Sequence, residues 1–144
     1  MPIRFFYENN FKLKNPRKTV DWIKESARRE RKMVGDINYI FCSDSYLLKL
    51  NQEFLSHQTY TDIITFDYSV GKTISGEIYI SLDRIKENAN HFNVSPQEEL
   101  LRVMIHGVLH LSGYRDKKRA EKSIMRKKEE ACLSLWKNMF HVKR

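Results

Sequence analysis

The sequence predicts an α+β fold, one small domain over residues 1–144 in which flanking helices cover a mixed sheet of roughly four strands. Three observations carry that prediction. The β-branched and aromatic runs all fall before Leu82, and the pattern from Leu82 to the end is helical. The 144 residues, 41% hydrophobic and without a repeat, linker or low-complexity tract, suit a single core.

The opening PIRFFYE is aromatic and extended in character, and the Asn9-Asn10 pair bounds it as a first strand. A helix follows: Pro16 stands at its start, Val20, Ile23 and Ala27 recur at helical spacing, the run RRERK closes it and Gly35 breaks it. Residues 36–42, DINYIFC, make a second β-rich run. Ser43 or Asp44 then caps a short helix marked by Tyr46, Leu47, Leu50 and Phe54. TDIITFDYS and ISGEIYIS are two further strands, and the short Val70-Gly71-Lys72 connection makes them antiparallel neighbours, in the middle of the sheet or at its edge.

SLDRIKENANHF carries the next helix. Ser95 opens another with S-P-Q-E, where Pro96 is preset for the first helical position and Glu98 completes a capping box. Its residues Leu100, Leu101, Val103, Met104, Val108 and Leu111 are apolar around most of the circumference, which places the helix in the core, and Gly113 ends it. From Lys117 to about Asn138 an amphipathic helix packs by one stripe containing Ile124, Met125, Cys132, Leu135, Trp136 and Met139. Lysine and arginine crowd its other face.

A net charge of +8 attracts phosphates or acidic surfaces and speeds encounter with a polyanion. Cys42 and Cys132 lie in apolar contexts, YIFC and ACLSLW, and read as small buried hydrophobes rather than ligands. The N-terminus lacks the apolar run of a signal peptide, and no stretch approaches the ~20 apolar residues that cross a bilayer. A cytoplasmic protein is expected.

Within the apolar helix stand His106 and His110, four residues apart and therefore on one face, where both imidazoles can reach one ion. Burying an unpaired imidazole there costs free energy, which favours a ligand. Gly113 permits a left-handed turn, and Asp116 follows it by three residues as a third donor. The pattern H-x-x-x-H-x-x-G-x-x-D has the spacing of the metzincin zinc helix, which uses histidine at the last position. Three protein ligands leave a fourth position for water, as a catalytic zinc site requires. Zinc fits this set, and another divalent transition metal is an alternative occupant. The competing reading of Asp116 is a surface ion pair with Lys117, Lys118 or Arg119. Zinc peptidases carry a glutamate directly after the first histidine to take the proton from water, but here Gly107 stands in its place. That absence argues against peptide hydrolysis and leaves space near the metal for a strand or a bulky substrate.

These residues resemble the YbeY family of bacterial metal-dependent endoribonucleases. That family's motif H-G-x-L-H-L-x-G-Y, followed by an acidic residue and a third histidine, is similar to HGVLHLSGY from His106 to Tyr114. Upstream, LNQEF, TDIITFDYS and GEIYIS resemble the family's L-N-x-x-F, T-D-V-L-S-F and G-D-I-x-I-S in the same order. The resemblance covers roughly residues 34–116 and implies a small sheet with flanking helices, one zinc ion on His106, His110 and Asp116, and cleavage of single-stranded RNA. It further implies a role in 16S ribosomal RNA 3′-end maturation and ribosome quality control, with ribosomal RNA and the ribosome or its subunits as partners.

Two positions depart from the pattern. Asp116 replaces the third histidine, with Arg115 at the usually acidic position, and Leu55 stands where many members carry an arginine thought to contact RNA. His57 is a possible substitute that donates a proton or binds a phosphate, set against an ordinary loop histidine. Residues of the RNA-binding surface are not singled out by the sequence. The rival readings are a metal-dependent peptidase or amidase, opposed by Gly107, and a ribosome-assembly protein with a structural metal.

Overall fold

The computed structural model describes residues 3–55 and 61–140. The elements run β1 (Ile3–Tyr7), α1 (Pro16–Arg29), β2 (Met33–Cys42), α2 (Asp44–Leu55), β3 (Ile63–Asp67), β4 (Thr73–Ser81), α3 (Leu82–Phe92), α4 (Pro96–Leu111) and α5 (Arg119–Phe140). The four strands form one mixed sheet in the order β1-β2-β4-β3. β2 runs parallel to both β1 and β4, whereas β3 pairs antiparallel with β4 from Ile63 opposite Ile80 to Asp67 opposite Gly76. The last two strands are thus antiparallel neighbours as expected: β4 is internal and β3 takes the edge.

Side chains alternate across a strand, and the sheet divides its residues accordingly. Ile37, Tyr39 and Phe41 of β2, with Ile74, Ile78 and Ile80 of β4, join the main core, to which α1, α3, α4 and α5 contribute their apolar sides. Cys42, Ile64, Phe66 and Tyr79 point the other way and meet Leu47 and Leu50 of α2. Polar tips inside the core are satisfied. The Tyr39 hydroxyl donates to the Met104 carbonyl at 2.9 Å, and the Trp22 indole donates to the Cys132 carbonyl at 2.7 Å. Both cysteines are buried, and burial pushes the Cys42 thiol up to about 12.

Gly35 does not break α1: that helix ends at Arg29, and the chain turns at Arg31, whose φ is 60°. Gly35 lies inside β2, beside a register shift between Val34 and Ile37, where a Cβ would stand 2.3 Å from the Ser75 hydroxyl. A bulge, not a helix stop, requires the glycine. The last helix also begins two residues later than expected, at Arg119, because Glu121 accepts the amides of Lys117 and Lys118 at 3.1 and 2.9 Å and so closes the turn before it.

Two other glycines set how closely α4 lies on the sheet. A Cβ on Gly107 would come within 2.9 Å of Ile78 Cδ1, 3.1 Å of Ile78 Cγ2 and 3.3 Å of Ile63 Cδ1. One on Gly76 would meet the Phe66 carbonyl oxygen at 2.3 Å and Leu111 at 3.0 Å. The space beside Gly107 is therefore filled by β4 and β3, the strand alternative of the sequence reading. Replacing Gly107 with glutamate should not create a peptidase; it should lower unfolding free energy in urea by about 3 kcal/mol or more, from overpacking and burial of an unpaired carboxylate. Gly76→Ala should cost about 1–3 kcal/mol in the same measurement, because a backbone carbonyl yields less readily than a side chain.

Candidate metal centre

α4 is built to end at the site. The Ser95 hydroxyl accepts the Glu98 amide at 3.0 Å, Pro96 occupies the first turn, and ten of the sixteen residues are buried. At the far end Gly113 adopts φ 108°, its amide donating to the His110 carbonyl and the Tyr114 amide to the Leu109 carbonyl, both at 3.0 Å. This Schellman-type turn reverses the chain and brings Asp116 back over the helix. Tyr114 fastens it, donating its hydroxyl to Glu30 at 2.7 Å, while Lys128 from α5 donates to the same carboxylate at 3.0 Å.

The result unites the three residues picked from the sequence. His106 and His110 have ring centroids 4.8 Å apart, inclined at 70°. His106 Nε2 lies 3.2 Å from Asp116 Oδ2, and His110 Nε2 lies 3.3 Å from Asp116 Oδ1. One donor atom from each residue falls within 4.8 Å of the others. Two ligands about 2.0–2.1 Å from a tetrahedral ion stand about 3.3–3.4 Å apart, so the donor spacing and the N, N, O donor set fit a divalent ion such as zinc. Both Asp116 oxygens face imidazole nitrogens, which sets aside the surface ion pair with Lys117, Lys118 or Arg119.

Behind His106 lies a layer that the sequence reading missed. His106 Nδ1 is 2.6 Å from Glu129 Oε2, and Arg102 Nη1 donates to Glu129 Oε1 at 2.9 Å. Arg102 also donates to both oxygens of Glu99. The Glu129 and Glu99 side chains are only 3% and 2% exposed, so this is a buried charge cluster. Burial alone would raise the Glu129 carboxyl; the His106 hydrogen bond and the Arg102 charge outweigh it and hold the group below its ordinary range. Burial, followed by the neighbouring His106, pushes His110 down, which favours the neutral imidazole that binds metal. A legible signal existed: Glu129 falls four after Met125 and three before Cys132, on the buried stripe of α5, yet the surrounding KKEE reads as solvated.

The donors open into a cleft of about 870 Å³ between α4 and the β3 edge, with Asp62, Thr65 and Asp67 on the strand side and Asn51 and Lys117 also lining it. Asp62 is a second residue the sequence did not single out as functional; burial raises its carboxyl against the pull of His106 and Arg102. His57 lies outside the described residues, and Leu55 closes α2.

A family model described as "Endoribonuclease YbeY" matches residues 6–137. The chain is 50% identical over 140 residues to "Endoribonuclease YbeY" of Christiangramia forsetii, covering 97% of this chain and 95% of that one. It is also 50% identical over 141 residues to the protein of that name from Flavobacterium psychrophilum, covering 98% of each. The solution structure of TM1509 from Thermotoga maritima superposes with a TM-score of 0.64 at 28% identity, covering 99% of both chains. The matched segment contains the helix, the glycine turn and all three donors, and the chain belongs to the endoribonuclease YbeY family.

Proposed function

We propose that the protein cuts single-stranded ribosomal RNA with one zinc ion held by His106, His110 and Asp116, in 16S 3′-end maturation and ribosome quality control. Endoribonuclease activity is the role of the family to which the chain belongs. The observation that supports metal-assisted cutting is the convergence of two imidazoles and a carboxylate at one side of an open cleft. A closed structural site takes four protein ligands, and three are found here among the described residues.

When bound, the ion supplies Lewis-acid stabilisation of charge on a phosphoryl oxygen and eases deprotonation of water. The chain supplies the rest. His106 and His110 would present ring nitrogens to the ion, and Asp116 would offset part of the cation's charge. Asp62 faces the same cleft with its carboxyl raised by burial, which suits it to hold and hand on a proton. His57 remains the second proton donor or phosphate contact proposed from sequence. The +8 net charge, with Lys117 at the cleft, favours a polyanionic strand. Ribosomal partners and a cytoplasmic location follow from that substrate; among the described residues no helix is long and apolar enough to cross a membrane. A peptidase or amidase lacks its glutamate, since Ile78 and Ile63 fill the space at Gly107.

Elemental analysis of the purified protein should find about one zinc per chain, and Asp116→Ala should lower that occupancy by about tenfold or more under limiting metal. His110→Ala should lose cleavage of single-stranded RNA while keeping its circular dichroism spectrum and RNA affinity. Unfolding of that variant would instead assign the ion a structural role.

A further inference from the structure

We infer that Glu129, anchored by Arg102, is the positioning residue of the centre: it holds the His106 proton on Nδ1 and so turns the Nε2 lone pair toward Asp116 and His110. This inference rests on the metal-centre reading and assigns the chain's last helix a part in it. His106 lies between two carboxylates, Glu129 at 2.6 Å and Asp116 at 3.2 Å, and a neutral imidazole can donate to only one of them. Glu129 wins on both counts that matter. It is nearer, and its side chain is 3% exposed against 35% for Asp116, so its attraction is less screened.

Arg102 fixes Glu129 in place, donating to its Oε1 while Oε2 faces the ring. Its guanidinium serves Glu99 and Glu129 together, and the Glu129 carboxyl group stands directly behind the imidazole. An Nδ1 hydrogen bond of this kind raises the electron-donating power of the ring toward a cation on its other side. A purely structural ion pair needs no third partner, yet Glu129 directs one oxygen to Arg102 and the other to the His106 ring.

Glu129→Gln separates the two roles. Arg102 only donates, so the glutamine oxygen must face Arg102 and its NH2 must face His106 Nδ1. The ring then places its proton on Nε2, toward the ligand position. Nitrogen-15 NMR of the metal-free wild-type chain at alkaline pH should show His106 protonated on Nδ1, although a free neutral imidazole favours Nε2. In Glu129→Gln the proton should move to Nε2, and zinc affinity, read by competition with a chelator, should fall by about 10–100-fold. Glu130→Gln, on the exposed neighbour, should change neither. An Nε2 proton on wild-type His106, which needs no variant to fold, would overturn the assignment, as would a Glu129→Gln protein with unchanged zinc affinity. A wild-type chain that takes up no zinc but keeps the Nδ1 proton would sink the metal-centre reading while upholding the role of Glu129 on the ring.

Discussion

The close seating of α4 against β3 and β4 governs where Arg102, His106 and His110 stand. A helix normally keeps its axis about 10 Å from a sheet because side chains intervene. At Gly107 no side chain intervenes from the helix, and the Ile78 and Ile63 methyls occupy the gap. With that face pressed on the sheet, the helical period turns Arg102, His106 and His110 together toward the β3 edge, where the cleft forms. One glycine thus fixes the depth of the helix and removes the side chain on which a peptidase depends.

The same helix carries a buried polar cluster through an otherwise apolar core. Removing two carboxylates and a guanidinium from water is expensive, and similar-sized hydrophobic residues often pack there with equal or better stability. Glu99, Arg102 and Glu129 are therefore poorly explained by stability alone. Each has a partner, and the chain of contacts ends on a ring that also faces Asp116. Tyr114, Glu30 and Lys128 hold the turn that carries Asp116, tying it to the C-cap of α1 and to α5.

Much of this was readable from local sequence. Pro16 and the Ser95-Pro96 pair marked helix starts, alternation marked the strands, and the His106, His110, Gly113 and Asp116 spacing marked the donors, because each is set by contacts within a few residues. What escaped depends on contacts distant in sequence. Gly35 looks like a helix stop until β4 is paired beside it, and only the fold shows that Ser75 occupies the place of its missing side chain. Glu129 sits in a lysine-rich run and becomes a partner of His106 only when α5 docks on α4. Asp62 gains its raised carboxyl from burial that no local pattern encodes.

The strand order also bears on how the chain reaches its native state. β3 and β4 are joined by a tight connection, with Val70 bridging Thr73, whereas β1 meets β2 with Ile3 beside Ile37, and β2 meets β4 with Ile37 beside Gly76. Loop-closure entropy opposes those two parallel pairings more than the hairpin. The hairpin whose β3 strand lines one wall of the cleft is thus the cheapest part of the sheet to nucleate. Closing the cleft brings α4 against β3, a contact between residues far apart in sequence, so its loop-closure cost exceeds that of forming either wall alone.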